Sequence, residues 1–282
     1  MISKGLRWLR GGRSASLQFP EGLAPWRVVG ASVAGTSHQR FGQLCQDAAG
    51  WALGPDRSLI VAVADGAGSA SLGREGAQLA VSTAVEFLSS RRSLDSGNSS
   101  KDQLTSALEH ARFALRSDAE ERGVEVRELA TTLILLQATR NHVATIQVGD
   151  GAAVVEDHRA GVVGLTKPQA GEYINETMFI TSEDAMDWAQ TAVHEGSLFG
   201  GAIFSDGLQM LALNMPEGTP YAPFFDPLLR FVGAATDAGA ADEQLKSFLL
   251  SPRVTNQTTD DLTLVLFALD ESPRAQVDVK DA

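Results

Sequence analysis

The chain has 282 residues, 44% hydrophobic and 21% charged, with a formal net charge of −12. That length and composition suit a soluble globular protein with a substantial core, and the acidic balance disfavours a nucleic-acid backbone or an anionic membrane as partner. A single cysteine, Cys45, excludes an intrachain disulfide and any zinc site built on two or more thiolates.

The N-terminal stretch "MISKGLRWLRGGR" is basic without the apolar centre of a signal peptide, and no run approaches the roughly 20 apolar residues of a membrane span. A cytoplasmic location is expected. Residues 1–25 show no clear period and read as an N-terminal extension to a domain over 26–270. From "WRVVGASVAGTS" onward the pattern is that of packed strands, and "LIVAVA" (Leu59 to Ala64) reads as a buried strand ended by Asp-Gly. Ala77, Ala80, Val81, Ala84, Val85 and Leu88 form one apolar stripe at helical spacing, which predicts a helix over 74–90. The polar run "SSRRSLDSGNSSKD" closes it, and Leu104, Ala107, Leu108, Ala111 and Leu115 predict a second helix over 102–118.

Strand signals resume in "ATTLILLQATRNHVATIQVGDGAAVVED", where "TRNH" reads as a hairpin turn and a further strand starts after Gly151, giving an antiparallel meander. Residues 157–199 are less regular, and about 166–199 read as a flap. "GAIFSDGLQML" is another strand ending in Asp-Gly. Helices are expected near 227–235 and 242–250, then a last strand in "TTDDLTLVLFAL" and a charged, frayed tail over 271–282.

Acids recur at strand ends: Asp65-Gly66, Asp150-Gly151, Asp206-Gly207 and Asp260-Asp261, with Asp47 ahead of another apolar stretch. Each alone is an ordinary turn residue. Brought together, such carboxylates repel one another unless cations compensate them. Oxygen-only donors suit Mg²⁺ or Mn²⁺, and two such ions about 3.5–4 Å apart clamp a phosphoryl group. Glycine beside the acid permits the tight turn and leaves a carbonyl accessible.

Other chemistries find no support. "DGAGSASLG" lacks the third glycine of a dinucleotide fingerprint, since Ser71 stands there, and its acid precedes the glycines. The chain has no P-loop, no H-E-x-x-H among its five histidines and no G-x-S-x-G elbow. Cys45 reads as a small buried hydrophobe.

The pieces "GQLCQDA", "VAVADGAGS", "ATTLILLQ", "VGDGAAVV", "FSDGL" and "DDLTLVLF" stand in the order found in the metal-dependent protein phosphatases of the PP2C type, which this chain resembles. They span Gly42 to Phe267, and "GTSH…CQDA" is closer to the bacterial branch. The resemblance implies an α+β fold, an αββα sandwich of two antiparallel sheets flanked by helical layers, with the metal site at one end between the sheets. It implies two Mn²⁺ or Mg²⁺ ions and an optional third. Asp65 would bridge two of them, the Gly66 carbonyl would ligate one, and Asp206 and Asp260 would complete the other's shell. Asp47 would act through bound waters, and Asp150 would sit by the third ion with Asp206. Thr131 and Thr132 would support the site from a strand, and Asp261 would stand behind Asp260.

The reaction implied is hydrolysis of phosphoserine or phosphothreonine in a protein by a metal-bridging water, without a covalent phosphoenzyme. A phosphoprotein partner and a cognate Ser/Thr kinase follow, with a monomeric enzyme and neither nucleic acid nor membrane. Two positions depart from the family. The arginine found five residues before the first acid is Gly42 here, which leaves Arg40, with His38 as a weaker substitute, to grip the phosphate. The histidine that follows Asp-Gly in eukaryotic members is Ala67, so water is expected to protonate the leaving alkoxide. The competing readings are a pseudophosphatase that binds a partner without turnover, and a hydrolase of small phosphomonoesters.

Overall fold

The structure, a computed structural model, describes residues 7–10, 13–14, 26–91, 100–169 and 177–270. Most of the expected N-terminal extension, the centre of the loop between the first two long helices, residues 170–176 of the expected flap and the C-terminal tail lie outside the described residues.

The strands are β1 (Arg7–Arg10), β2 (Arg13–Ser14), β3 (Trp26–Val33), β4 (Ala48–Leu53), β5 (Leu59–Ala64), β6 (Leu133–Ala138), β7 (His142–Val148), β8 (Ala152–Asp157), β9 (Gly161–Gly164), β10 (Gln190–Glu195), β11 (Leu198–Phe204), β12 (Leu213–Asn214), β13 (Thr219–Pro220) and β14 (Leu262–Leu269). The helices are α1 (Thr36–Arg40), α2 (Gly73–Ser89), α3 (Ser100–Arg122), α4 (Gln209–Ala212), α5 (Ala222–Ala234), α6 (Ala238–Leu249) and α7 (Pro252–Thr255). One sheet runs in the order β10-β7-β6-β5-β4-β1-β2 and the other in the order β3-β14-β11-β8-β9, with β12 and β13 forming a small ribbon. Each of these pairings is antiparallel.

Period-two allocation explains why the central strands are apolar throughout. In β5, Leu59, Val61 and Val63 point into the core between the sheets, while Ile60, Ala62 and Ala64 pack beneath α2 and α3. In β14, Val265, Phe267 and Leu269 enter the same inter-sheet core, and Leu262, Leu264 and Leu266 pack beneath α5 and α6. Both faces of each strand are buried, so alternation with polar residues disappears from the sequence. The result is the four-layer αββα sandwich, with Trp51 and an edge-to-face Trp26–Phe267 pair (centroids 5.9 Å apart) filling its centre.

Several boundaries differ from the sequence expectation. The helix expected at 227–235 starts at Ala222, because Pro223 lies in the first turn, where its missing N–H has no partner to lose. The helix expected at 242–250 starts at Ala238, capped by Asp237, whose carboxylate accepts from Gly239 N–H at 2.9 Å and Ala240 N–H at 3.1 Å. Within the irregular stretch 157–199, β9 and β10 are regular strands. They are edge strands with exposed positions, so neither carries a continuous apolar run. Residues 7–10 likewise add β1 to the edge of β4 without any readable period. Among the described residues, no helix is long and apolar enough to cross a membrane.

Small residues on α2 set how closely it approaches its neighbours. A Cβ on Gly76 would lie 2.2 Å from the Leu129 carbonyl oxygen, in the 3₁₀ turn at Val126–Leu129. In a free helix, Gly→Ala stabilises by about 1 kcal/mol. Here Gly76→Ala is expected to destabilise by about 1–3 kcal/mol through overpacking. The urea midpoint checks this: a midpoint equal to or above that of the wild type would contradict the close approach.

Candidate active site

The site is built where β5 ends. Just past Ala64, the Asp65 N–H donates to Thr132 Oγ1 at 2.9 Å. The Asp65 carbonyl accepts from Thr132 N–H and from Thr131 Oγ1, both at 2.8 Å. The paired threonines thus hold the backbone of one acid from the neighbouring strand. Gly66 forms an isolated antiparallel bridge with Thr131 through bonds made by flanking residues, which leaves the Gly66 carbonyl outside the ladder. A Cβ on Gly66 would lie 2.3 Å from the Gly73 carbonyl oxygen, so the start of α2 admits only glycine there.

The other acids arrive from separate connections. Asp150 lies in the β7–β8 turn, where Gly149 adopts φ +116°. A Cβ on Gly151 would meet the Phe204 carbonyl oxygen at 2.5 Å. Asp206 opens a single helical turn directly after β11, and a Cβ on Gly207 would lie 2.1 Å from the Asp261 carbonyl oxygen. One carboxylate oxygen from each of Asp65, Asp150 and Asp206 lies within 4.8 Å of the others. Asp47, only 4% exposed, stands close enough to Asp65 for the two carboxylates to act on one another. Its Oδ2 accepts from Ser205 Oγ at 2.8 Å, and its Oδ1 is buried without a hydrogen-bond partner. Asp260 is exposed at the rim, and its charge acts on Asp150 and Asp206.

Burial and mutual repulsion load this cluster. Burial pushes the Asp65 carboxyl well above the carboxylate range, and the charges of Asp47 and Asp206 push it further. Burial, then Asp150 and Asp260, push Asp206 up to about 8. Burial raises Asp47 to about 6. Burial also raises Asp150, against the Thr177 hydroxyl, which donates to its Oδ2 at 2.7 Å. Asp150 Oδ1 is buried without a partner. Among the described residues, no lysine or arginine pairs with these carboxylates. An all-oxygen donor set with two orphaned buried oxygens and no protein cation fits hard divalent ions.

Asp261 is turned into the loop that precedes Asp47, and its charge adds to the rise at Asp47. It is buried, its Oδ1 accepting from Gly35 N–H at 2.7 Å and lying 2.8 Å from His38 Nδ1, while its Oδ2 accepts from Gln46 N–H at 2.6 Å. His38 is therefore engaged with Asp261. Arg40 is exposed at the end of α1 and has no hydrogen bond or ion pair among the described residues. Ala67 is buried and offers no titratable proton. Cys45 is buried and its thiol is pushed up by burial.

Three residues of this neighbourhood are absent from the sequence reading. Ser205 bridges Asp47 and the Thr263 N–H, and its only signal is its place before Asp206 in "FSDGL". Gln209 donates to the Asp150 carbonyl at 2.6 Å, and Thr177 comes from the irregular stretch before β10, where no period marks it.

Residues 34–250 match the family described as Protein phosphatase 2C. The chain is 40% identical over 249 residues to Serine/threonine-protein phosphatase 3 of Escherichia coli (strain K12), covering 86% of this chain and 97% of that protein. Its fold matches the serine/threonine phosphatase Stp1 from Staphylococcus aureus with a TM-score of 0.63 at 15% identity, over 90% of this chain and 99% of that one. It also matches the catalytic domain of the serine/threonine phosphatase PstP, solved with two manganese ions, with a TM-score of 0.59 at 15% identity, over 87% of this chain and 99% of that one. Strand-end acids in this order, on this sandwich, and a family match over most of the length lead to one assignment: the chain belongs to the protein phosphatase 2C family.

Proposed function

We propose that the chain hydrolyses phosphoserine and phosphothreonine esters in proteins, at the cluster formed by Asp47, Asp65, Asp150, Asp206 and Asp260. The observation that carries this reading is the convergence of Asp65, Asp150 and Asp206 within 4.8 Å, with no lysine or arginine paired to them among the described residues. Mn²⁺ or Mg²⁺ would be held by Asp65, the Gly66 carbonyl, Asp206 and Asp260, with Asp150 and Asp47 completing the set. Bound there, such ions supply Lewis acidity toward the phosphoryl oxygens and a water acidic enough to attack at neutral pH. The two manganese ions of PstP are in keeping with this choice.

The chain's own residues have separable tasks in this reading. Thr131 and Thr132 fix the Asp65 backbone, and Ser205 orients Asp47 so that its second oxygen stays free to accept from water. Arg40, unpaired at the end of α1, meets the dianionic phosphate, while His38 steadies Asp261 instead. The Ala67 position holds no acid, so the leaving alkoxide takes its proton from solvent. The substrate is the product of a Ser/Thr kinase, and the enzyme works as a cytoplasmic monomer without nucleic-acid or membrane partners. The net charge of −12 agrees with the last point.

Hydrolysis of p-nitrophenyl phosphate and a phosphothreonine peptide, each with Mn²⁺, tests the assignment. Asp65→Asn is expected to lower kcat/KM by at least about a hundredfold on both, exceeding the typical loss from an outer-shell partner, with the fold retained by circular dichroism. Metal-dependent turnover unchanged by Asp65→Asn would remove the site assignment.

The cluster also predicts a pH dependence of stability. Asp206 stands at about 8 in the folded chain, against 3.8 ordinarily. Between about pH 4 and pH 8 the folded state therefore binds more protons than the unfolded chain. The stability this confers is complete below about pH 4 and is lost as the pH rises through about 8. With EDTA, Tm is expected to fall across this window, and Asp206→Asn to flatten the fall. Added Mn²⁺ replaces the protons, so its gain in Tm is larger at about pH 8 than at about pH 5.5. A metal-free Tm that rises across the window would contradict the shift.

A further inference from the structure

The loop between α1 and Asp47 pairs a fixed base with an apolar tip. Phe41 is 80% exposed and Leu44 61%, although nothing in the core requires either side chain. Beneath them the backbone is firmly tied. Asp261, itself buried, accepts from Gly35 and Gln46 at the two ends of the loop and holds the His38 ring between them. Ser37 donates through both its N–H (3.0 Å) and its hydroxyl (2.6 Å) to the Thr259 carbonyl, and Gln43 N–H donates to the His38 carbonyl at 2.9 Å. Gly42, at φ +67° with open space around it, makes the turn that presents the two side chains.

The tip is tethered by a short stretch of chain to the first of the carboxylates. Leu44 lies three residues before Asp47, so their Cα atoms are at most about 11 Å apart. From the other sheet, Met210 is 70% exposed and follows Asp206 by four residues along helical turns, an axial rise of about 6 Å. Apolar side chains thus stand beside the acids on two separate chain segments. A small phosphoester would fill only the space at the acids and would leave these side chains in water. An extended polypeptide lying across the acids would cover them.

We propose that Phe41 and Leu44 are specificity-determining residues that seat an apolar side chain adjacent to the phosphorylated serine or threonine, in an extended segment of the substrate protein. This rests on the phosphoprotein phosphatase reading and names the sequence class it favours. The tied base means that little ordering remains for binding, so burial of an aromatic and an aliphatic anchor appears directly as affinity.

The test compares two phosphothreonine peptides that differ only in carrying leucine or serine on both sides of the phosphothreonine, with Mn²⁺ and with p-nitrophenyl phosphate hydrolysis as reference. Wild type is expected to favour the leucine peptide by about tenfold in kcat/KM, expressed in KM. Phe41→Ser/Leu44→Ser is expected to abolish that preference and to raise KM for the leucine peptide about tenfold while kcat is kept, equivalent to about 1.4 kcal/mol. Equal use of both peptides by wild type, or a preference that survives in the double variant, would overturn the proposal. Turnover of p-nitrophenyl phosphate with neither peptide cleaved would instead overturn the phosphoprotein reading on which it rests.

Discussion

Carboxylates that have been taken out of water and brought within reach of one another cannot all stay charged, and the rest of this site is arranged around that repulsion. Asp65, Asp150 and Asp206 converge within 4.8 Å, with Asp47 buried beside Asp65. Protons relieve the repulsion in the metal-free chain, which is why burial and neighbouring charge drive Asp65 and Asp206 so far up. A divalent cation would relieve it better, because it would offset several carboxylates at once, and it or its bound waters would meet the Asp47 and Asp150 oxygens that find no hydrogen bond. The site is thus a place where the protein leaves charge uncompensated for a ligand to complete.

Holding such a cluster together takes structure that is not itself reactive. Thr131 and Thr132 fix the Asp65 backbone from just ahead of β6, and Ser205 joins Asp47 to the start of β14 through the Thr263 N–H. Asp261 uses both carboxylate oxygens on the loop leading to Asp47. Its role is the opposite of its neighbour's: Asp260 stays at the exposed rim, while Asp261 turns inward and is consumed by hydrogen bonds. The chain bends at Asp260 just ahead of β14, which is how two consecutive acids come to do unrelated work.

The central architecture was legible in the sequence because burial on both faces leaves an unmistakable trace. "LIVAVA" and "LTLVLFAL" read as buried strands, and the apolar stripe through Ala77 and Ala84 read as a helix with one buried face. The strand-end acids were legible for a related reason: a charged residue that stops an apolar run stands out. Edge elements left no such mark. β10 is half exposed and β9 is four residues long, so neither differs in composition from a loop. Supporting polar residues were harder still. Thr177 and Gln209 act through single hydrogen bonds to Asp150, and a lone threonine or glutamine carries no periodicity that would single it out. The task of His38 was equally hidden, since only the fold brings it to Asp261, 223 positions further along.

The distribution of acids over the two sheets has a mechanical consequence. Asp47 and Asp65 adjoin β4 and β5 of one sheet, whereas Asp206 and Asp260 adjoin β11 and β14 of the other, and Asp150 sits in the connection that passes between them. The packing that joins the sheets is hydrophobic and non-directional, centred on residues such as Trp51 and Phe267. Such packing resists separation but does not by itself fix the ends of the sheets to a fraction of an ångström. The Ser205 hydroxyl, which follows β11 and donates to Asp47 ahead of β4, supplies that registration locally across the two sheets. An ion shared by acids from both sheets would finish the alignment in the same step that equips the site for chemistry. Metal binding would therefore tighten the end of the sandwich as well as load it, with the apolar interior acting as the hinge side and the carboxylates as the clasp.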